Sequence, residues 1–217
     1  MCSQYTLKTS AQELSSYYGI LAVSEVEINS RVLPYTAAVV VREIQKKNQF
    51  EKMNYSLVPS WSKESKVKFA THNARIETIL EKPTWKKPFV TKRCLVPISE
   101  FIESIYTEKW AGNLVRFSDV HGHFLTAAGI WDEWIDPQTK KTTHSFSIIT
   151  DEPPEFVEKS GHDRCPVFLK KQAFSSWLDL ENTDPIALIK ILKTEKENVH
   201  LKVEIDRPLK AGWEKRI

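Results

Sequence analysis

Short runs of β-branched and aromatic residues are the feature that most limits the fold of this 217-residue chain. Residues 36–42 (TAAVVVR) predict a buried strand, because branched side chains favour extended backbone. Further short strands are expected over residues 55–58, 114–118, 124–130 and 145–149. Strands outnumber helices and do not alternate with them regularly, which argues against a doubly wound sheet. We therefore expect an α+β fold, a single β-rich mixed domain with a few short flanking helices.

Helix signals are fewer than strand signals. Residues 10–13 (SAQE) form a capping box, which predicts a short helix that Gly19 could end. Helices are also expected over residues 171–180 and after Asp184-Pro185, because proline suits the first helical position. A strand near residues 201–205 and a basic tail follow. No repeat or low-complexity linker interrupts the chain, so we expect residues 2–217 to form one domain.

Composition excludes several classes of protein. Apolar residues make up 41% and charged residues 27%, a balance that argues against intrinsic disorder. No run approaches the roughly 20 apolar residues of a membrane-spanning helix, and no signal peptide is visible at the N-terminus. Neither of the common glycine-rich phosphate-binding motifs occurs. We therefore expect a cytoplasmic protein without a membrane partner and without a nucleotide cofactor.

The three cysteines, Cys2, Cys94 and Cys165, are too widely spaced for a metal-binding knuckle, so we expect free thiols and no metal. Cys94 and Cys165 have apolar neighbours in sequence and are expected in the core. Cys2 differs, because removal of Met1, which is expected before a small residue, exposes an α-amine beside the thiol. With reference pKa values of about 8 and about 8.5, both groups are partly nucleophilic near neutral pH.

An N-terminal cysteine has a reaction that an internal cysteine lacks. Its amine can condense with an aldehyde to a Schiff base, and its thiol can then attack the same carbon to close a five-membered thiazolidine. Because the second step is intramolecular, the adduct is far more durable than an imine. The alternative interpretation is that Cys2 is merely a small residue at the beginning of a strand.

The modest net charge of +3 conceals an uneven distribution of charge. Residues 61–93 hold nine Lys or Arg against three Glu, a net charge of +6, so the remainder of the chain carries −3. Aromatic residues are interleaved with these cations, and such a mixture is typical of surfaces that bind single-stranded nucleic acid. The alternative is a solvated lysine-rich loop with core aromatics. The aromatic residues are Trp61, Phe69, Trp85 and Phe89.

Several short motifs follow one another along the chain. They are VPSW (58–61), NARIET (73–78), RCLVP (93–97), AGIW (128–131), HDRCPV (162–167) and WL (177–178). Together with Cys2, this ordered set resembles the SOS response-associated peptidase family, the abasic-site processing proteins. Each motif alone is weak, whereas the ordered set is highly specific. The resemblance covers about residues 2–178.

The resemblance implies a role for five residues. Cys2 would be the nucleophile that crosslinks to the ring-opened aldehyde of an abasic site, and Asn73 would position the aldehyde carbon or the N-terminus. Glu103 would shuttle protons during sugar ring opening and Schiff-base chemistry, and His162 would donate a proton at the sugar oxygen. Arg75 would contact a phosphate. From the residues alone, Glu103 could instead pair with a cation such as Arg93, and Asn73 could cap a turn.

The remaining DNA-binding candidates come from the basic segment. They are Trp61, Lys68, Lys86 and Lys87. Four departures from the usual family pattern affect the expected site. Gln4 replaces a cation, Tyr55-Ser56 replaces Trp-Gly, Ser99-Glu100 replaces an Asp-Gly turn before Glu103, and Cys165 replaces a common Met. We therefore expect one phosphate contact at residue 4 to be lost or replaced.

The leading hypothesis is a monomeric DNA-damage protein that crosslinks through Cys2 to abasic sites in single-stranded DNA and associates with the nucleoid when bound. It would need no metal and no cofactor. The second hypothesis is a cysteine peptidase or amidohydrolase, which in its narrow form cuts only the bond between Met1 and Cys2. The third is a noncovalent single-strand-binding module, which the loss of a cation at Gln4 permits.

Overall fold

The computed structural model describes residues 3–21 and 31–216, and within these ranges it contains eleven strands and five α-helices. The strands are β1 (Gln4–Thr6), β2 (Ala37–Ile44), β3 (Lys47–Tyr55), β4 (Asn73–Arg75), β5 (Arg93–Ile98), β6 (Glu100–Ile105), β7 (Asn113–Asp119), β8 (Leu125–Ile135), β9 (Thr142–Asp151), β10 (Cys165–Pro166) and β11 (Leu201–Pro208). The helices are α1 (Ala11–Tyr18), α2 (Pro83–Thr91), α3 (Glu155–Lys159), α4 (Phe174–Leu178) and α5 (Pro185–Thr194). Short 3-10 helices span Ile76–Thr78, Lys171–Ala173 and Trp213–Arg216.

Five strands close into a barrel. Going round the ring, β9 pairs with β3, β3 with β2, β2 with β5, β5 with β8, and β8 again with β9. All of these pairings are antiparallel except β3 with β9. Strands β4 and β10 extend β9 beyond the barrel, and a second, antiparallel sheet has the order β1-β6-β7-β11. This architecture confirms the expected β-rich α+β fold.

The apolar residues form two core clusters on opposite sides of the barrel wall. Val40 of β2 packs in one cluster with residues of the four-stranded sheet, such as Phe101 and Phe117. Its neighbour Val41 packs in the other cluster, which contains residues of α2, α4 and α5. Successive residues of a strand point to opposite faces, so this wholly apolar run covers both sides of β2. Cys94 and Cys165 are buried in the first cluster, as expected.

Two local signals were predictive of the structure. Ser10 and Glu13 form the capping box of α1, with the Ser10 side chain accepting from the Glu13 N–H at 3.1 Å, and Gly19 ends the helix at φ 65°. Asp184 caps α5, and Pro185 stands in its first turn. The strands expected near residues 36–42, 114–118, 124–130, 145–149 and 201–205 are all present, as parts of β2, β7, β8, β9 and β11.

Other expectations about elements were wrong. No strand spans residues 55–58 as expected. Strand β3 ends at Tyr55 instead, because Ser56 turns the backbone to φ 94°. The polar strand β3 was not predicted, although it pairs with β2 along its whole length. The single helix expected over residues 171–180 is a 3-10 helix followed by α4, and it ends at Leu178.

The buried guanidinium of Arg93 holds the helices against the barrel. It donates to the carbonyl oxygens of Trp177 at 2.6 Å, Val90 at 2.8 Å and Asn182 at 3.0 Å, and it also contacts Phe89 and Asp179. Burial lowers its pKa to about 10. Arg93 therefore neither belongs to an exposed DNA-facing surface nor pairs with Glu103, in contrast to what its sequence position allowed.

Candidate active site

A buried carboxylate and a buried imidazole meet between the four-stranded sheet and the segment that follows α3. The Oε2 atom of Glu103 lies 3.1 Å from the Nε2 atom of His162. Only 2% of the Glu103 side chain and 7% of the His162 side chain are exposed. Buried titratable pairs of this kind are uncommon outside functional sites, because burying a charge costs free energy unless a partner compensates for it.

Glu103 is placed by the alternation of side chains along β6. Its neighbours on the same face, Phe101 and Ile105, belong to the first core cluster. In the β6–β7 ladder Glu103 stands opposite Val115. A carboxylate on this apolar face has little access to water, so its chemistry depends on the few polar groups that surround it.

His162 is placed by a tight turn. Gly161 has φ 91°, and a Cβ atom there would lie 2.6 Å from the carbonyl oxygen of Thr107. Glycine is therefore required for the close approach that brings His162 to the end of β6. The Nδ1 atom of His162 lies 3.2 Å from the backbone N–H nitrogen of Arg164 and 3.0 Å from its carbonyl oxygen. The Arg164 backbone can thus donate to a neutral ring nitrogen or accept from a protonated one.

An ion pair ties the His162 segment to the NARIET segment. The guanidinium of Arg164 donates to the carboxylate of Glu77 at 2.5 Å. Partial burial would raise the pKa of Glu77, but the hydrogen bond and the charge of Arg164 outweigh it and hold the pKa below its usual range. Both residues lie in motifs that the sequence made visible, Glu77 in NARIET and Arg164 in HDRCPV, but no pattern in the sequence indicated that they form a pair.

Asn73 begins β4, where it stands opposite Ile148 of β9 and is buried. The preceding residue, His72, is close enough to Glu103 for the two charges to interact. Burial lowers the pKa of His72, and the negative charge of Glu103 acts in the opposite direction. The beginning of β4 and the Glu103–His162 pair therefore belong to one electrostatic environment.

The expected nucleophile, Cys2, lies outside the described residues. The strand that begins two residues later, β1, runs beside β6. Gln4 pairs with Ile102, the residue immediately before Glu103, and Tyr5 pairs with Phe101. The first described strand of the chain thus begins beside the part of β6 that carries Glu103.

The predicted DNA-binding residues Trp61 and Lys68 lie on the loop between β3 and β4. Trp61 is 57% exposed, and Lys68 is also exposed. Two hydrogen bonds hold the base of this loop against β8. The Ser60 N–H donates to the Asp132 carboxylate at 2.8 Å, and the Trp134 indole donates to the Ser62 carbonyl at 2.8 Å. An exposed aromatic ring is therefore carried by an anchored loop.

The other predicted contacts are exposed on neighbouring elements. Arg75 lies on β4, and Lys86 and Lys87 lie on α2. Two of the aromatic residues of the segment do not accompany them, because Trp85 and Phe89 are buried in the second core cluster. The basic segment therefore combines an exposed part with a part that builds the core.

The described residues contain no group of three or more His, Cys, Asp or Glu that could hold a metal ion. Among the helices of residues 3–21 and 31–216, none has the length and apolar character needed to cross a membrane.

Comparisons with known proteins point to one family. A family model described as SOS response associated peptidase (SRAP) matches residues 1–206. The abasic site processing protein YoqW of Bacillus subtilis is 30% identical over 196 residues, which is 89% of this chain and 87% of YoqW. The abasic site processing protein HMCES of Gallus gallus is 30% identical over 165 residues, 65% of this chain and 48% of HMCES.

Solved structures show the same fold. A protein from Bordetella bronchiseptica superposes with a TM-score of 0.77 at 19% identity, over 95% of this chain and all (100%) of that one. A protein from Bacteroides thetaiotaomicron superposes with a TM-score of 0.74 at 22% identity, over 95% of this chain and 92% of that one. With the family model matching nearly the whole sequence, the chain belongs to the SOS response associated peptidase family.

Proposed function

We propose that this protein processes abasic sites in single-stranded DNA by forming a covalent thiazolidine through Cys2 after Met1 is removed. The observation that carries the proposal is the buried Glu103–His162 pair, with 3.1 Å between Oε2 and Nε2, beside the beginning of β1. Similarity to proteins named abasic site processing proteins supports the same substrate. The adduct would shield the lesion from strand cleavage.

Chain connectivity limits how far Cys2 can be from this pair. Two extended residues span at most about 7 Å, so the Cα atom of Cys2 cannot be farther than this from the Cα atom of Gln4. Gln4 in turn pairs with Ile102, which precedes Glu103. Connectivity therefore keeps residue 2 near the strand that carries Glu103, and we propose that its free amine and thiol reach the carboxylate there.

The reaction consists of additions and proton transfers. The amine of Cys2 attacks the aldehyde carbon to give a carbinolamine, which loses water to form a Schiff base. The thiolate then adds to the same carbon, and the nitrogen takes up a proton as the ring closes. The sum is one aldehyde and one N-terminal cysteine converted to one thiazolidine and one water, so no oxidant or reductant is required.

Glu103 and His162 are suited to these proton transfers. Glu103 would accept the proton that the amine loses and return it to the departing hydroxyl. His162 would donate from Nε2 to the sugar oxygen when the abasic sugar opens. The Arg164 backbone supports the ring in either protonation state, because its N–H and its carbonyl both lie within 3.2 Å of Nδ1. Asn73 would orient the aldehyde or the amine from the start of β4.

The exposed part of the basic segment would hold the strand around the lesion. Arg75 on β4 would contact a phosphate next to the site, and Lys68, Lys86 and Lys87 would contact others. Trp61 would stack on an unpaired base. A duplex keeps its bases stacked and would hinder access of the aldehyde to residue 2, so single strands are the preferred substrate.

The test is a denaturing gel after incubation with single-stranded DNA that contains one abasic site. Wild-type protein should give an adduct that survives denaturation, and Cys2→Ala should give none. Cys165→Ala is the matched control, because that thiol is buried and burial raises its pKa. An additional residue left before Cys2 should also abolish the adduct. Equal crosslinking by Cys2→Ala and wild type would refute the proposal.

A further inference from the structure

A groove lies on the outer side of the four-stranded sheet, the side that faces away from the first core cluster, near the end where β1 begins. Its volume is about 310 Å³, within the range of small-ligand sites. Its walls are the outer side of β6 and the segment that follows β11. The lining includes Gln4, Ser104, Tyr106, Arg207, Lys210 and Trp213. Among the predicted catalytic and DNA-binding residues that the structure describes, none is part of this lining.

The chemistry of the groove suits a phosphodiester and an unpaired base. Arg207 and Lys210 are exposed cations, while Tyr106 and Trp213 are half-buried aromatic residues whose ring centroids lie 6.4 Å apart. None of the described lining residues is acidic. The sequence agrees, because residues 207–216 hold four Lys or Arg against one Glu, a net charge of +3. Cations for phosphate and aromatic faces for bases are the two components of single-strand-binding surfaces.

Arg31 adds a guanidinium at the position where the usual family cation is missing. It donates to the side-chain oxygen of Gln4 at 2.7 and 3.1 Å. The neighbouring acid, Asp206, accepts from the same guanidinium at 3.0 and 3.3 Å and lies 4.0 Å from Arg207, so the acid and these cations partly neutralise one another. A guanidinium from a different part of the chain thus lies at residue 4, beside the groove.

The groove is built on a firm support. The Leu209 N–H donates to the Gly112 carbonyl at 2.8 Å, which holds the segment after β11 to the connection before β7. The Trp213 ring packs on the same glycine, where an added Cβ atom would lie 2.9 Å from it. The groove is also adjacent to the candidate active site, since Ser104 follows Glu103 and Gln4 stands two residues after Cys2.

We propose that this groove binds the nucleotide that follows the lesion along the single strand. Arg207 and Lys210 would contact the phosphodiester, Arg31 would contribute charge at its edge, and Trp213 would stack on the base. The inference rests on the proposed function and extends it. The single-stranded DNA would be held on two sides of the N-terminus. On one side lie the loop between β3 and β4, which carries Trp61, and the exposed cations of α2 and β4. This groove lies on the other side.

The experiment measures binding of undamaged single-stranded DNA by fluorescence anisotropy over a range of salt concentrations. Undamaged DNA has no aldehyde, so binding is noncovalent whatever the role of Cys2. Arg207→Gln/Lys210→Gln should weaken binding roughly tenfold at low salt. For this double variant, the slope of log affinity against log salt should be smaller in magnitude than the wild-type slope by about 1.4, since each phosphate contact in single strands contributes about 0.7. Lys47→Gln/Lys190→Gln removes the same charge from two exposed residues elsewhere and should leave both values unchanged.

A second pair of variants tests stacking. Trp213→Phe should retain most of the affinity, whereas Trp213→Leu should lose several-fold, because only the former keeps an aromatic face. If the Arg207/Lys210 variant binds like the Lys47/Lys190 control while wild type binds well, the groove proposal is overturned and the proposed function stands. If wild-type protein does not bind single strands at all, the proposed function fails, and the groove proposal fails with it.

Discussion

At the level of single residues, the proposed reaction depends on Glu103 acting as a base in a buried site. Glu103→Gln keeps the shape of the side chain but removes its ability to accept a proton. We expect crosslink formation to slow by about 100-fold or more, as for the loss of a general base. The measurement is the single-turnover rate of adduct formation on abasic single-stranded DNA.

Glu100→Gln is the control for this change. Glu100 lies on the same strand, three residues earlier, but its carboxylate binds Lys8 and Thr6 on the opposite face of β6. The rate of adduct formation by Glu100→Gln should match that of wild type within about twofold. Equal rates for Glu103→Gln and wild type would show that the carboxylate is structural.

The Glu77–Arg164 ion pair makes a separate prediction. Glu77→Gln should release the Arg164 side chain and loosen the backbone that holds Nδ1 of His162. We expect a severalfold slower crosslinking rate and little loss of stability, since a partly exposed ion pair contributes little to folding. Comparing rates with urea unfolding curves separates the two effects. A loss of stability with unchanged rate would contradict this positioning role.

The same pair has a defined pH dependence. The pKa of Glu77 in the folded protein is held below its usual range, so the ionised pair is complete at neutral pH. Its contribution is present above the unfolded pKa of glutamate and is lost as the pH falls through the lower folded value. The positioning of His162 by Glu77 is therefore expected to persist through mildly acidic conditions.

At the scale of elements, the barrel depends on a close approach of β5 and β8. Gly129 of β8 stands opposite Cys94 of β5, and a Cβ atom there would lie 2.8 Å from the Cys94 Sγ atom and 2.9 Å from Val96. Gly129→Ala should therefore destabilise the protein by about 1 to 3 kcal/mol through overpacking. Urea unfolding provides the measurement.

A double variant checks the cause of this loss. Cys94→Ala removes the sulfur atom nearest to the added methyl group, so Cys94→Ala/Gly129→Ala should be more stable than the sum of the single losses predicts. Strict additivity would mean that the Sγ contact is not what makes glycine necessary at this position.

The elements that could be predicted from the sequence are those whose signals are local. The capping box of α1 and the apolar run of β2 act through neighbours in the chain, and both elements form. The polar strand β3 gives no such signal. It is held by its pairing with β2 through a two-residue turn in which Gln45 and Lys46 both have positive φ, without the Asn-Gly typical of such turns.

In the candidate active site, too, some features could be predicted from the sequence and others depend on contacts between distant segments. The resemblance of the motifs named Glu103 and His162, and the fold brings these two side chains together across 59 positions of the sequence. No local pattern indicates that Arg164 binds Glu77, or that Arg31 reaches Gln4, because both contacts arise from tertiary packing. The basic segment was only partly predictive, since Trp85, Phe89 and Arg93 serve the core.

At the level of the whole molecule, the barrel and the four-stranded sheet share the first core cluster and meet near the candidate active site. Strand β6 carries Glu103 toward this core and Ser104 toward the outer groove. The net charge of +3 conceals two basic segments, residues 61–93 and 207–216, with net charges of +6 and +3. The rest of the chain therefore carries −6, and positive charge is concentrated in the segments expected to contact DNA.

Thiazolidine formation at Cys2 is tested most directly by mass spectrometry of the product formed with abasic single-stranded DNA, without any reducing agent. We expect the mass of the protein lacking Met1 plus that of the DNA minus one water, with the modification on the peptide that begins at Cys2. An adduct that appears only after borohydride trapping, or that maps to a lysine such as Lys68, would contradict it.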